Sequence, residues 1–460
     1  MVSRSRTTRA LGRVLACLAV AGCSSAGAPR SEVVASGARE VAAGAGKPSA
    51  SLPVETGGAE ARAAALPPRA HAVDARGASA DPDRDGARAG PEIVGGPTDP
   101  GPPPHGTVAD APARDQVVRI EGGAYRAGSL PGTPHRSPAF EADGVRVTLA
   151  PFEIDRLPFP NDPARAPVVS VARDEAAALC AAQGKRLCTE LEWERACAGP
   201  RGAEGAVYPG GASFDAESCS LDPLACASPE GVLALGTAAA EWTASAAAQE
   251  LAATGDAVVR GAAATAAAGL HRCAARRAFP AATRLEGLGF RCCRGDAQAA
   301  AYPPVERYRA PFVDRAMDRD AQRAVLAAMP EVARFAPSFR PFDAADVDRA
   351  LGRGGRTRDG LGGWALMAGV LEWWPEQGER VWVLAGTSGD HAVLVAAYPM
   401  PDGTYRHAAS FVLEGEPVPI AVAWGTTSQR ELLWSSCWGC GGEGGAVTFK
   451  DDATVVITQR

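Results

Sequence analysis

The chain predicts an α+β protein, with helices and strands segregated along the sequence and no strand-helix alternation. Two short helical patterns lie close together between residues 172 and 198, and two more between 318 and 351. Between 200 and 295, Gly, Pro and Ala interrupt every periodic run, so that stretch reads as loop-rich with short strands. From Arg380 onward the chain breaks into apolar or alternating runs separated by turn residues, the pattern of an antiparallel β-rich domain.

The first segment is a targeting signal. Arg4, Arg6, Arg9 and Arg13 precede an apolar run over residues 14–20, too short to span a bilayer, so residues 1–22 read as a cleaved secretory signal. The run ends in Val20-Ala21-Gly22-Cys23, which resembles the bacterial lipobox. That resemblance implies that Cys23 is diacylated and becomes the new N-terminus. Two acyl chains anchor firmly where one is marginal, so the expected location is the cell envelope, periplasmic or outer-membrane associated, with the membrane as a partner through lipidated Cys23. Residues 23–115 are rich in Ala, Gly, Pro, Ser and Arg and nearly without aromatics. Such a segment cannot offset its chain entropy by apolar burial, and it reads as a disordered tether with a reach of roughly 50 Å.

The folded elements follow in order. Residues 116–120 alternate like a strand and meet the turn Glu121-Gly122-Gly123, and residues 145–154 also read as extended. Residues 172–183 place Ala176, Leu179, Cys180 and Gln183 at helical spacing, closed by Gly184. Thr189-Glu190-Leu191-Glu192 is a capping box opening a helix to about residue 198, with Trp193 and Cys197 on one face. Short strands are expected at 257–260 and 289–292. After Tyr302-Pro303-Pro304, helices at 318–328 and 343–351 make 297–379 a helical linker region. Strands are then expected at 381–385, 392–398, 405–413, 419–424, 431–435, 446–449 and 454–458, forming a domain over 380–460. Pro401-Asp402-Gly403 and Lys450-Asp451-Asp452 supply turns between them.

Charge and cysteine content narrow the classes. A net charge of −6 with interspersed signs gives no basis for nucleic-acid binding. Twelve cysteines suit an exported protein, and setting aside Cys17 in the signal and Cys23 at the anchor leaves an even ten.

Residues 116–296 resemble the formylglycine-generating enzyme (sulfatase-modifying factor) domain family. The resemblance rests on pieces in the family's order. These are the segment from Val118 through Gly122-Gly123 to Ser129; Pro151-Phe152-Glu153-Ile154-Asp155-Arg156; Gly184-Lys185-Arg186-Leu187-Cys188-Thr189-Glu190-Leu191-Glu192-Trp193-Glu194; Glu241-Trp242-Thr243; Arg272-Cys273-Ala274-Ala275-Arg276; and Gly289-Phe290-Arg291-Cys292. It implies a compact, loop-rich fold similar to C-type lectins. It also implies two disulfides, Cys180 with Cys292 and Cys197 with Cys273, each closing a long loop for roughly 4 kcal/mol in the chain-entropy picture. Cys188, Cys219, Cys226 and Cys293 then remain, with three possible connectivities, of which Cys219–Cys226 with Cys188–Cys293 is one.

The resemblance implies an activity that this sequence lacks the residues to perform. Family enzymes oxidise a substrate cysteine to formylglycine with copper and oxygen, using a cysteine pair just before the segment matched here by Arg272-Cys273-Ala274-Ala275-Arg276. Thiolates suit Cu(I) because both are soft. Here residues 260–271, Arg-Gly-Ala-Ala-Ala-Thr-Ala-Ala-Ala-Gly-Leu-His, contain no cysteine, so no catalytic residue is assigned and copper is not expected. Ala238 stands where the family carries an asparagine near a calcium site, and loss of that oxygen ligand argues against calcium. Other branches of the fold bind iron through several histidines; this region holds only His135 and His271.

Two further features lie beyond the resemblance. Cys437-Trp438-Gly439-Cys440 has the spacing of a redox motif, but glycines and not a helix follow it, so a structural disulfide is the better reading. Trp364, Trp373, Trp374, Trp382, Trp424, Trp434 and Trp438 cluster near the C-terminus, read as core in preference to a glycan platform. Asp390-His391 reads as a turn. The expectation is an envelope lipoprotein whose domain binds or scaffolds, without cofactor, toward an envelope protein or glycan. The alternatives are an oxidoreductase (formylglycine-generating or thiol redox) and a carbohydrate-binding module.

Overall fold

The computed structural model describes residues 116–221, 226–308, 310–361, 364–367, 369–415, 420–425, 430–441 and 444–459. The signal sequence, Cys23 and the tether lie outside the described residues. No helix among the described residues is long and apolar enough to cross a membrane.

The first half is α+β with short elements. It opens with β1 (Val117–Ile120), β2 (Gly123–Ala127), β3 (Val145–Leu149) and β4 (Phe152–Asp155). Next come α1 (Arg173–Ala181), β5 (Arg186–Leu187), α2 (Glu190–Ala198) and α3 (Ala216–Leu221). It closes with β6 (Ala240–Ala246), β7 (Ala257–Arg260), β8 (Arg276–Phe279), β9 (Leu288–Phe290) and β10 (Cys292–Arg294). One sheet runs β1-β4-β10-β5, a second runs β8-β7-β6-β9, and β2 with β3 forms a hairpin. Within the second sheet β6 and β9 are parallel. α2 starts where the sequence signals it: Thr189 Oγ1 accepts from Glu192 N and Glu192 accepts from Thr189 N. All nine residues of α2 are buried, with Trp193 and Cys197 fully enclosed. Strand pairs with so few residues have little intrinsic stability, and disulfides between distant segments fasten them.

The second half is an antiparallel sandwich with a helical layer. Its elements are β11 (Phe312–Arg315), α4 (Arg319–Ala327), β12 (Phe339–Pro341), α5 (Ala344–Arg353), β13 (Trp364–Leu366), β14 (Val370–Glu376), β15 (Glu379–Ser388) and β16 (His391–Pro399). They are followed by β17 (Tyr405–Glu414), β18 (Ala421–Gly425), β19 (Glu431–Ser435), β20 (Gly444–Phe449) and β21 (Val455–Gln459). One sheet runs β11-β14-β15-β16-β17, with β12 also on β15; the other runs β13-β18-β19-β20-β21. Leu371, Trp373, Val383 and Leu394 from the first meet Val422, Trp434 and Val447 from the second. On its other face the first sheet buries Leu384, Val393 and Val395 beneath Val325, Leu326 and Met329 of α4 and its following turn. β16 is therefore covered on both sides, which is why residues 392–397 are an unbroken apolar run.

The expected helical linker over 297–379 is corrected by this topology. It contains α4 and α5, but also β11, β12, β13 and β14, and β14 is the first arm of the hairpin with β15. The two halves meet through the loop between β2 and β3. Arg136 donates to Glu379 at 3.0 Å and to Gly378 O, Arg406 donates to Pro131 O, and His135 N donates to Asp452 O.

Candidate functional site

The place to look for chemistry is the segment between β7 and β8, where the family resemblance puts a cysteine pair. Gly261 leaves β7 with φ +65°, and a Cβ there would come within 2.2 Å of Gly236 Cα, so two glycine backbones touch. Ala262 N donates to Gly236 O, and Ala266 N closes a turn on Ala263 O. Ala264, Thr265, Ala267 and Ala268 are the exposed side chains of the turn. They offer methyl groups and one hydroxyl, none of which ligates a soft metal.

His271 is fully buried and occupied. Its Nδ1 lies 2.9 Å from Gly236 O, its Nε2 lies 3.3 Å from Ala266 O, and its ring stacks on Phe214 at 4.1 Å. It fastens the turn to the neighbouring loop. Cys273 is bonded to Cys197. The cavity beside it, lined by Ser129, Thr133 and Arg272 among others, holds about 20 Å³, room for one water and none for a peptide side chain.

Beneath the turn lies a buried charge frame built from the motif residues. Arg260 donates to Glu190 and Glu194, and Arg276 grips Glu190 through two nitrogens at 2.6 and 2.9 Å. Arg272 grips Glu141 at 2.8 and 2.6 Å, and Ser129 Oγ donates to the same carboxylate. Trp193 Nε1 and Arg291 both donate to Glu241, Arg186 pairs with Glu192, and Lys185 pairs with Asp155. The Arg276 guanidinium lies 3.5 Å over the Tyr302 ring. Burial resists ionisation of Glu141, but Arg272 outweighs it and holds the carboxyl below its usual range. For Glu194 burial wins over Arg260 and the carboxyl is raised. These carboxylates are neutralised by fixed partners, so the frame positions the turn and presents no nucleophile of its own.

Every cysteine among the described residues is in a disulfide: Cys180–Cys292, Cys188–Cys293, Cys197–Cys273, Cys219–Cys226 and Cys437–Cys440. Among the described residues no three His, Cys, Asp or Glu side chains converge to hold a metal ion. The 260–271 segment supplies no thiolate for copper, and Ala238 is exposed with no side-chain oxygen for calcium. Asp390 and His391 sit at the β15–β16 turn, Oδ1 to Nδ1 at 2.9 Å, with Asp390 largely in solvent. Trp373, Trp374 and Trp434 are buried in the second half, not displayed as a platform.

Residues 158–295 match the sulfatase-modifying factor enzyme 1-like domain. The chain carries a domain of that type. Over 86 residues it is 40% identical to the inactive Cα-formylglycine-generating enzyme 2 of Bos taurus, covering 19% of this chain and 23% of that protein. The chain thus spans about a quarter of that relative's length. Among solved structures, PvdO from Pseudomonas aeruginosa matches 39% of this chain and 93% of its own at 18% identity and TM-score 0.33. Treponema denticola variable protein 1 matches 38% and 94% at 15% identity and TM-score 0.29.

The frame was only half visible in the sequence. The acids of α2 stand in a motif, whereas Glu141 lies 131 residues from Arg272 and carries no local signal. A cleft of about 380 Å³ between the halves, lined by Arg126, Glu204, Met400, Arg406 and His407 among others, was likewise illegible.

Proposed function

We propose that this chain is an envelope lipoprotein, anchored through Cys23, whose sulfatase-modifying-factor-like domain serves as a non-catalytic binding or scaffolding module. The observation that carries the reading is the turn at 261–271, which holds no thiol, next to a Cys273 committed to Cys197. A formylglycine-generating reaction needs thiolates that bind copper, and this segment supplies alanines. The inactive status in the name of the bovine relative points the same way. The cleft between the halves falls in the size range of ligand sites, which favour domain junctions.

The deciding experiment incubates the copper-treated chain with a cysteine-containing sulfatase peptide under oxygen and reads the product with an aldehyde probe and by mass. No aldehyde above the protein-free control is expected; aldehyde formation would overturn the non-catalytic reading. For the anchor, Cys23→Ala should move the protein from the membrane to the soluble fraction. Unchanged fractionation would remove Cys23 from the anchoring role.

A further inference from the structure

The fifth disulfide differs from the other four in its exposure and in the length of the loop it closes. Cys440 is the one exposed cysteine among the described residues, while Cys437 is 2% exposed. The Cys437–Cys440 bridge spans a sequence separation of 3, against 112, 105, 76 and 7 for the others, so it removes the least loop-closure entropy from the unfolded chain. The loop that carries it is held by other contacts. Trp438 packs against Val347, Ala350 and Leu351 of α5. Arg353 Nη1 donates to Ser436 O at 3.1 Å, and Trp438 N reaches Ala350 O at 3.4 Å. Gly354 lies so close that a Cβ on it would strike Trp438 O. The bridge can therefore open without releasing the loop. Arg356 runs alongside, its Nε 3.5 Å from where a Cβ on Gly439 would stand, and its positive charge favours a thiolate nearby.

We propose that Cys437–Cys440 is a thiol–disulfide exchange site that accepts two electrons from a dithiol, with Cys440 as the attacked sulfur and Cys437 as the leaving thiolate. The dithiol's first thiolate attacks Cys440 Sγ. The S–S bond breaks, its electron pair stays on Cys437 Sγ, and a mixed disulfide joins the dithiol to Cys440. The second thiolate then attacks the dithiol-side sulfur and Cys440 leaves as a thiolate. The dithiol becomes a disulfide and the motif becomes a dithiol; the two protons given up by the substrate are available to the two new thiolates. A disulfide oxidant, by the reverse steps, restores the bridge. This site is independent of the non-catalytic reading of the first half.

The test uses the full chain in graded ratios of reduced to oxidised dithiothreitol, followed by alkylation and mass mapping of each bridge. The Cys437–Cys440 bridge should open at ratios that leave the other four closed; opening together with them overturns the proposal. Cys437→Ser should let Cys440 capture glutathione disulfide about tenfold faster than Cys437 does in Cys440→Ser, because exposure and approach govern the exchange. Equal rates overturn the assignment of roles. Arg356→Glu should slow opening by dithiothreitol several-fold, and an unchanged rate would reduce the site to an exposed bridge and overturn it. The double variant Cys437→Ser/Cys440→Ser should keep the parent's melting temperature; a marked drop would make the bridge a structural staple and overturn the proposal as well.

Discussion

Glu379 sits where opposing forces on one proton can be separated. Burial resists its ionisation, Arg136 favours it, and Asp143 and Glu376 resist it again; the balance lifts the carboxyl from 4.5 to about 7. Arg136, enclosed with Glu379, Asp143 and Glu141, keeps its charge, so the glutamate is the member of the pair that yields. The folded chain holds this proton more tightly than the unfolded chain. Its stabilising contribution is therefore complete below about pH 4.5 and is lost as pH rises through about 7. Between about pH 5 and pH 8 the loss is about 2 to 3 kcal/mol. Urea unfolding at those two pH values should show Glu379→Gln less pH-dependent than the parent by that amount; equal slopes would place the carboxyl in ordinary titration. Glu141 gives a second residue-scale case. Its removal leaves Arg272 buried without its acid, so Glu141→Ala should cost about 3 to 5 kcal/mol by the same measurement. Glu141→Gln keeps acceptor oxygen for Arg272 and Ser129, and should cost less than the alanine variant.

At the scale of elements, what the sequence revealed depended on whether the signal was local. α2 was legible because Thr189 and Glu192 cap it within one turn, and the structure uses both. Thr189→Ala should accordingly lower stability by about 1 kcal/mol, read as a shift in urea midpoint with the slope unchanged; no shift would mean that burial alone sets the helix start. α4 and α5 were expected at 318–328 and 343–351; in the structure Asp318 and Asp343 cap them, each accepting from the N3 backbone amide. β14 was missed. It is buried along nearly its whole length, so it has no polar-apolar alternation, and Pro375 lies within it next to a register shift against β15. β6 hides for a related reason: its Glu241 reads as an acid facing solvent but is buried, and its partner Arg291 lies 50 residues on. For the candidate site, the loss of thiols was plain in the sequence, because an absence over twelve residues needs no geometry. The charge frame was not, since only folding brings Arg260, Arg272 and Arg276 to their acids.

At the scale of the molecule, the question is whether the disulfide-stapled half and the sandwich melt as one. The contact between them is narrow but closely fitted. Gly378 at the β14–β15 turn lies where a Cβ would meet Pro138 O at 1.8 Å, and Gly132 where one would meet the Tyr398 ring at 2.4 Å. Both glycines have positive φ, so each surface is shaped by a residue that only glycine fills cheaply. Arg136 runs through the middle, bonding Glu379 and Gly378 O on one side and Glu141 O on the other. An interface of this kind couples the halves only while its buried charges stay matched, because an unmatched charge reverses the sign of the contact energy. The parent protein should therefore unfold in one calorimetric transition with agreeing calorimetric and van't Hoff enthalpies. Arg136→Met keeps the bulk, removes the charge and leaves Glu379 facing Asp143 without a cation, so at pH above neutral, where Glu379 ionises, the transition should split in two. Arg136 lowers the Glu379 carboxyl in the parent, so its removal raises that carboxyl further; lowering the pH protonates Glu379 and should draw the two transitions of that variant back together. Two separate transitions in the parent itself would refute the coupling, whereas a split confined to the variant and closing with acid would assign it to this one arginine–glutamate contact.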